Sequence, residues 1–176
     1  MKQAGWDVVG YDIKEGNDIL DWNNLLSAMQ GADVVVHLAA EKSVPKSWGN
    51  SKRFYEVNIS GTQNVLHVAS SWNVKKVVVI SSSSAKECTS PYGISKFSSE
   101  KVAFMFNHSF NLPVACIRLF NVFGPGQPSD DPYSAVIPRF VAEFLRGETP
   151  FIHGDGKQSR DFTYVEDVCE AIYAVS

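Results

Sequence analysis

The sequence has few cysteines, no strong charge excess and no long apolar run. Its three cysteines are widely spaced and odd in number, which argues against a disulfide scaffold and favours a reducing, cytoplasmic setting. With 16 basic against 19 acidic side chains, it has no positive surplus for a polyanion, so we expect no nucleic-acid partner. No apolar stretch approaches the roughly 18 residues of a membrane span, so we expect no membrane partner.

The sequence also lacks metal-ligand spacing. Its four histidines lie far apart, and no His, Cys and Asp pattern suggests a metal site. His37 falls in an apolar strand pattern, and we interpret it as a packed polar group. The composition, with 44% hydrophobic and 20% charged residues, excludes intrinsic disorder. A length of 176 residues by itself suggests one domain with a proper core.

Short apolar runs alternate with longer helical patterns along the chain. We predict strands over 7–12, 32–38, 75–80 and 114–119. Helices are predicted over 21–29, 92–110, 134–146 and after Tyr164, with a further helical region between the second and third strands. This alternation indicates βαβ units and a doubly wound parallel α/β sheet. Five apolar residues of the middle helical region are predicted to face the core: Phe54, Val57, Val65, Leu66 and Ala69.

The carboxyl ends of the predicted strands are where an open α/β sheet binds ligands. Asp12 lies at the first of these ends. In a dinucleotide-binding fold, an acid there accepts hydrogen bonds from the adenosine ribose and repels a 2′-phosphate, which selects NAD over NADP. A turn-forming aspartate is the alternative interpretation, and the residue alone does not decide between them.

Tyr92 and Lys96 are four residues apart and share one face of a predicted helix. The lysine ammonium favours the phenolate and lowers a tyrosine pKa that is about 10 in isolation. A hydroxyl from the serine-rich strand end, 81–84, can bind the same substrate oxygen. Together these groups form a base that takes a proton from a secondary alcohol while hydride leaves the carbon. Tyr-x-x-x-Lys alone occurs by chance in helices, but the preceding serine cluster favours the functional interpretation.

Several ordered motifs resemble those of the extended short-chain dehydrogenase/reductases, in particular the NAD-dependent sugar-nucleotide epimerases and dehydratases. The likeness runs over essentially the whole chain. The motifs are Val36-His37-Leu38-Ala39-Ala40, Val57-Asn58-Ile59-Ser60-Gly61-Thr62, Pro91-Tyr92-Gly93-Ile94-Ser95-Lys96, Arg118-Leu119-Phe120-Asn121-Val122-Phe123-Gly124 and Arg160-Asp161-Phe162-Thr163-Tyr164-Val165-Glu166-Asp167.

The resemblance implies a set of cofactor-binding residues. Asp12 would bind the adenosine ribose, and Asn58 would steady the second predicted strand. Lys96 would bind the nicotinamide ribose and hold the pKa of Tyr92 down. The whole implied set for NAD is Asp12, Asp18, Ile19, Leu38, Ala39, Ala40, Asn58, Tyr92 and Lys96.

The resemblance also implies catalytic and substrate-binding residues. Tyr92 would be the general base, assisted by Lys96 and by Ser82 as the catalytic hydroxyl, with Ser83 as the alternative. An arginine fork suits the substrate diphosphate. The implied substrate-binding residues are Ser82, Ser83, Asn121 and Arg160.

The sequence is most like the UDP-hexose 4-epimerases, which implies transient oxidation of a nucleotide sugar at one carbon with NAD as cofactor. The alternatives are a sugar-nucleotide 4,6-dehydratase or 4-keto reductase of the same family, or a truncated non-catalytic relative. Ser83 and Ser84 are followed by no carboxylate before Glu87, which argues against a dehydratase, because that reaction needs an acid and a base beside the catalytic hydroxyl. A homodimer formed through the Tyr92–Lys96 helix is the assembly expected of the full-length protein.

The family's Gly-rich turn is missing from the sequence. No Gly-x-x-Gly-x-x-Gly precedes Asp12, and Lys2 to Trp6 resembles the tail of the helix that follows such a turn. We therefore expect an incomplete Rossmann-like sheet without its first strand and Gly-rich turn. Residues 1–120 would form a partial NAD-binding domain, and 121–176 the start of an incomplete substrate-binding region. The chain would then be a fragment of a longer enzyme.

Overall fold

The computed structural model describes residues 5–129, 135–152 and 154–176. It divides into two compact units. The first is Met1–Arg118 with Ile172–Ser176, and the second is Leu119–Ala171. The expected helical tail at Lys2 to Trp6 lies partly outside the described residues. Residue 134, where one predicted helix begins, also lies outside them.

A three-stranded sheet forms the centre of the first unit, in the order β1, β2, β3. The strands are β1 (Val34–His37), β2 (Lys76–Ser82) and β3 (Val114–Leu119). β1 and β2 are parallel, with His37 opposite Val79. The five residues from Val77 to Ser81 are all buried, as an unbroken apolar run predicts for a strand covered on both faces. The structure confirms these three predicted strands and the α/β class.

Helices of the first unit begin at residues suited to capping. Asp21, Ser43 and Ser90 each accept a backbone N–H three residues ahead, which satisfies one free donor of the first turn. A π-helical turn, Glu56–Gly61, joins the third helix to the fourth. The helices are α1 (Trp22–Ala28), α2 (Val44–Gly49), α3 (Ser51–Tyr55), α4 (Thr62–Ser71) and α5 (Pro91–Ser109).

The core of the first unit is built from α4, α5 and β2. Leu66 and Phe106, on α4 and α5, are fully buried, as are Val77 and Val79 on β2. The five core residues predicted from the sequence are all buried, which confirms that prediction: Phe54, Val57, Val65, Leu66 and Ala69. The N-terminal end of α4 lies beside the end of β1, where Thr62 contacts His37, and that of α5 lies beside the turn after β2, where Gly93 approaches Ser84.

The strand predicted over 7–12 was wrong. Residues 7–12 have no strand structure, and Val9 is 81% exposed. An apolar β-branched run becomes a strand only when a neighbouring strand takes its backbone hydrogen bonds. Within the part of the chain that the structure describes, the segment forms no ladder with β1, so it remains irregular until Asp12 caps a short 3₁₀ turn over Ile13–Glu15.

The described part of the second unit contains a small parallel sheet, one helix and the beginning of another helix, whose last residues belong to the first unit. β4 (Val122–Phe123) pairs with β5 (Thr163–Tyr164). α6 (Val136–Leu145) and α7 (Val165–Val175) confirm the two helices predicted here. A Cβ on Gly124 would lie 2.4 Å from Val165 Cγ1, so only glycine permits this close approach. Among the described residues, no helix is both long enough and apolar enough to cross a membrane.

Candidate active site

The predicted catalytic residues lie where β2 ends and α5 begins. Ser82 is the last residue of β2, and its Oγ accepts the Ser84 N–H at 3.2 Å, which starts a short 3₁₀ turn over Ser83–Ala85. α5 then carries Tyr92 in its first turn and Lys96 one turn later. Ser82 and Ser83 are both half-buried, so the strand end offers two hydroxyls beside the helix.

Lys96 is buried and held against the end of β2. Its side chain is 6% exposed, and Nζ donates to the carbonyl of Ile80. Burial lowers the pKa of Lys96 to about 8, although Glu100 and Cys116 favour the cation. The ammonium is therefore bound to the strand two residues before Ser82.

Tyr92 is half-buried beside the α3 helix. Its ring meets Phe54 edge to face, with centroids 6.2 Å apart and planes at 82°. This contact fixes the ring from the side of α3, while the backbone of α5 places the residue one turn before Lys96. The structure thus brings Tyr92, Lys96 and Ser82 to one end of β2, as the sequence predicted.

α5 approaches the end of β2 so closely that its third residue must be glycine. A Cβ built on Gly93 would lie 2.6 Å from the carbonyl oxygen of Ser84. Ser90 Oγ accepts the Gly93 N–H at 3.1 Å and caps the helix at the same point. The contact between Gly93 and Ser84 is therefore part of what sets Tyr92 relative to the strand end.

Asn58 connects the loop after β1 to α5. It is 1% exposed, and its side-chain amide pairs with both backbone groups of Glu41, at 2.8 and 3.0 Å, and donates to Ser95 Oγ at 2.8 Å. The residue lies in the π-helical turn, a feature common at functional sites. Its carbonyl accepts hydroxyls from Thr62 and Ser99, both at 2.6 Å. Asn58 thus holds the backbone that follows Leu38 to Ala40.

His37, at the end of β1, is a neutral buried group. Its Nε2 lies 2.9 Å from Thr62 Oγ1. Since the single hydroxyl hydrogen of Thr62 is donated to Asn58 O, the histidine must be the donor in this pair. Burial, together with a smaller effect of the Lys96 charge, lowers the pKa of His37 to about 3. These contacts fit the interpretation of His37 as a packed polar residue.

The residues expected at the adenosine end lie on one segment, 12–20. Asp12 is exposed, and its Oδ1 accepts the Lys14 N–H at 2.8 Å. Asp18 Oδ1 accepts the Leu20 N–H at 2.9 Å. Ile19 is 6% exposed, and its carbonyl accepts Asn64 Nδ2 at 3.1 Å. The buried Ile19 side chain anchors the segment on the first unit, so any contact of Ile19 with a ligand would come from its backbone.

Arg53 links this segment to the loop after β1. Its guanidinium lies 3.9 Å from Asp18, 3.5 Å from Glu41 and 3.4 Å from Glu56. Each pair is partly exposed and contributes little to stability by itself.

At the end of β1, Leu38 is 63% exposed, so the strand end from Leu38 to Ala40 presents side chain and backbone to solvent rather than to the core.

Asn121 and Arg160 belong to the second unit. Asn121 has a φ of 30°, and its Nδ2 donates to the carbonyl of Asp161 at 3.1 Å. Arg160 is exposed, and its Nη1 donates to the carbonyl of Ser159 at 2.7 Å. Asn121 therefore connects the end of β3 to the segment that carries Arg160, and the second unit brings these two predicted residues into one neighbourhood.

The side chains fit the two ends of a nicotinamide dinucleotide by their chemistry. Carboxylates at Asp12 and Asp18 are acceptors for ribose and adenine donors, and the Lys96 ammonium is a donor for ribose hydroxyls. No group of three His, Cys, Asp or Glu residues among the described residues could hold a metal ion. Comparison with known proteins identifies the family.

The sequence matches the family described as NAD dependent epimerase/dehydratase over residues 1–176. The chain belongs to this family.

Individual relatives agree with the family. The chain is 36% identical over 166 residues to an uncharacterized UDP-glucose epimerase of Bacillus subtilis (strain 168), covering 86% of this chain and 51% of that protein. It superposes on a UDP-N-acetylglucosamine 4-epimerase from Methanobrevibacter ruminantium M1, in complex with UDP-N-acetylmuramic acid, with a TM-score of 0.85 at 38% identity, over 90% of this chain and 56% of that one.

A dehydratase superposes on the chain as well. The dTDP-glucose 4,6-dehydratase of Streptomyces venezuelae, solved with NAD, gives a TM-score of 0.79 at 32% identity, over 90% of this chain and 52% of that one. The chain thus spans about half the length of the curated relatives it matches. The family is NAD-dependent by its description, and its members share the Rossmann-type architecture of the first unit.

Sequence reasoning missed an ion pair between a buried carboxylate and a half-exposed arginine in this NAD-dependent epimerase/dehydratase chain. Glu100 is 4% exposed and receives both Arg118 Nε and Arg118 Nη2 at 2.7 Å. Ser81 Oγ donates to the same carboxylate at 2.5 Å. The spacing indicates only that Glu100, four residues after Lys96, shares its helix face; it gives no signal for the pairing with Arg118.

Gly93→Ala tests the close approach of α5 to the turn after β2. The added Cβ meets the Ser84 carbonyl, a backbone atom that cannot rotate away, so we expect the variant to lose about 1–3 kcal/mol of unfolding free energy. Urea denaturation of this chain measures the loss. Gly49→Ala is the matched control, because that helical position has nothing within 4 Å of the built Cβ. Equal stability of the two variants would contradict the packing described.

Proposed function

We propose that the protein carrying this chain is a UDP-hexose 4-epimerase that oxidises the sugar transiently at C4, with NAD as cofactor. One observation carries the proposal. Lys96 is held in a buried position at the end of β2, one helical turn from Tyr92, and it donates to the carbonyl of Ile80, two residues before Ser82. That arrangement supplies a base, a cation and a hydroxyl for one alcohol oxygen.

In the proposed reaction, Tyr92 accepts the proton of the sugar hydroxyl and later returns it. Lys96 lies one helical turn away and supplies the positive charge at this end of β2. Ser82 donates its hydroxyl to the oxygen on which negative charge develops. Bound NAD supplies the hydride acceptor and donor. The enzyme's own task is then to hold the oxygen in place while the two faces of the oxidised sugar are presented in turn.

We further propose how the chain divides the binding work. Residues 1–120 would bind the cofactor, with Asp12 on the adenosine ribose, Asp18 and Ile19 beside adenine, and the backbone from Leu38 to Ala40 along the cofactor. Residues 121–176 would begin the part that binds the nucleotide sugar. There, the exposed guanidinium of Arg160 has the fork geometry and charge for a diphosphate, and Asn121 would hold the segment that carries it.

A 4,6-dehydratase is the second candidate, because one superposes on the chain at 32% identity. That reaction removes water and needs an acid and a base beside the catalytic hydroxyl. Here the positions after Ser82 are Ser83 and Ser84, and the first carboxylate, Glu87, is exposed. These residues favour the epimerase. An assay with UDP-glucose and NAD distinguishes the remaining alternatives: a 4-keto reductase, running in reverse, would release reduced cofactor with a keto sugar, and a non-catalytic relative would form no product.

Ser82 and Ser83 are distinguished by alanine variants. Ser82 Oγ accepts the Ser84 N–H, which leaves its own O–H to donate to a substrate oxygen. We expect Ser82→Ala to lower kcat by about 10²-fold, the usual cost of one donor to a developing oxyanion. Ser83→Ala, the matched control, should lower it far less. The readout is conversion of UDP-glucose to its 4-epimer, and a larger loss in Ser83→Ala would move the role to Ser83.

We propose a homodimer and a cytoplasmic location as well. α5 exposes an apolar face in the first unit, with Ile94, Phe104 and Met105 all more than 40% exposed, and such a face suits a helix-to-helix contact between copies. The three cysteines are free, as a reducing compartment requires. Light scattering of the purified protein, with Phe104→Glu as the disrupting variant, tests the dimer.

A further inference from the structure

Two side chains of α5 hold two consecutive residues of β2. Lys96 donates to the carbonyl of Ile80, and Glu100 accepts the hydroxyl of Ser81 at 2.5 Å. Lys96 and Glu100 are one turn apart and both nearly inaccessible, at 6% and 4% exposure. The next residue of the strand is Ser82. α5 is therefore hydrogen-bonded to the strand immediately before Ser82, whose hydroxyl the proposed function assigns to catalysis.

A third element fixes Glu100 from the other side. Arg118, near the end of β3, forms a two-bond fork with both oxygens of the carboxylate at 2.7 Å. Burial raises the pKa of Glu100, but the hydrogen bonds from Arg118 and Ser81 outweigh burial and lower it overall. Glu100 is therefore an anion at neutral pH, oriented by β2 and β3 together.

We propose that Glu100 is a positioning residue of the active site: it fixes the end of β2 ahead of Ser82, and its carboxylate is the counter-charge that keeps buried Lys96 cationic. This inference rests on the proposed function for its meaning. It goes beyond the Tyr92–Lys96 pair because it makes the charge of Lys96 depend on a residue that contacts neither substrate nor cofactor.

The groups that face Lys96 leave Glu100 as its source of negative charge at neutral pH. His37, on β1, is neutral because burial lowers its pKa to about 3. Cys116, on β3, is also neutral because burial, reinforced by Glu100, raises the pKa of its thiol to about 11. Tyr92, on α5, is the base that Lys96 serves. Arg118, on β3, is bound to the same carboxylate, and its side chain is 40% exposed, so solvent screens its positive charge.

The test is a nuclear magnetic resonance titration of Lys96 in this chain, with no cofactor or sugar present. The side-chain signal is assigned from its loss in Lys96→Arg. We expect Glu100→Gln to lower the pKa of Lys96 by about one unit, the lower end of the effect of an adjacent opposite charge. Glu100→Asp keeps the charge and should restore most of that shift. The Ser82 amide should move in both variants, because both disturb the contact with Ser81.

Asp33→Asn is the matched control. It removes a carboxylate from an exposed pair, Lys75 Nζ to Asp33 Oδ1 at 2.7 Å, and should leave the Lys96 pKa and the Ser82 amide unchanged. If Glu100→Gln does not fold, acid titration of the unmodified chain decides. The Lys96 and Ser82 signals should then shift at the same midpoint pH as the protonation of the Glu100 carboxyl.

An unchanged Lys96 pKa in folded Glu100→Gln, or signals of Lys96 and Ser82 that ignore the Glu100 midpoint, would overturn the inference. Neither result bears on turnover, because the titration contains no substrate. Conversely, a protein without epimerase activity could still show the coupling between Glu100 and Lys96. The failure of the inference and the failure of the proposed function are therefore distinguishable.

Discussion

Replacing Tyr92 with phenylalanine is expected to lower epimerase turnover by about 10³-fold or more, because the general base is removed while its ring is kept. The phenyl ring preserves the edge-to-face contact with Phe54 at 6.2 Å, so the fold should be unaffected. The measurement is kcat for UDP-glucose in the gene product that carries this sequence, with NAD supplied.

Tyr173→Phe is the matched control for this variant. Tyr173 lies on α7 and is 47% exposed, and its phenol has no part in the proposed reaction. Tyr173→Phe should keep the kcat of the parent, and both variants should show the circular dichroism spectrum of the parent. If Tyr92→Phe retains full activity, Tyr92 is not the base.

Mild acid is expected to destabilise the chain by about 2 kcal/mol between about pH 7 and about pH 5, through His37. The pKa of His37 is about 3 in the folded chain and about 6.5 in the unfolded chain. Because the unfolded state takes up the proton first, stability is complete above the unfolded pKa. It is lost progressively as the pH falls toward about 3. As the pH falls, this loss of stability begins at a higher pH than the protonation of most carboxylates.

The loss is measured as the urea unfolding free energy at several pH values. His37→Gln can still donate to Thr62 but cannot be protonated, so its stability should be nearly flat across the window. His67→Gln, which removes a half-buried histidine from the aromatic contacts with Phe106 and Phe110, is measured alongside as the comparison variant. A parent chain with no loss of stability across the window would contradict the assignment of His37 as a buried neutral group.

The sequence was most informative where burial alone decides structure. The unbroken apolar run of β2 predicts a strand covered on both faces, and the observed strand runs two residues beyond the predicted end at residue 80, to Ser82. The helix with Tyr92 and Lys96 follows from its capping serine, Ser90, and from Pro91 at its first position. The prediction for 7–12 was wrong because a strand needs a partner, and no local pattern records whether a partner is available.

Contacts between residues distant in sequence could not be predicted. Glu100 and Arg118 are 18 residues apart, and their pairing depends on how β3 lies beside β2. The π-helical turn at Asn58 leaves no clear signal in composition, although it directs the Asn58 carbonyl toward hydroxyls of both α4 and α5. The positive φ of Asn121 likewise depends on the turn between β3 and β4.

The central claim is that one sugar carbon is oxidised and then reduced again. It is tested most directly with UDP-glucose that carries deuterium on C4, incubated with the gene product that carries this sequence and NAD. Nuclear magnetic resonance then locates the label in the product. The account predicts the 4-epimer with deuterium retained on C4. Deuterium in a new methyl group at C6, as a dehydratase would place it, or no sugar product at all, would contradict the account.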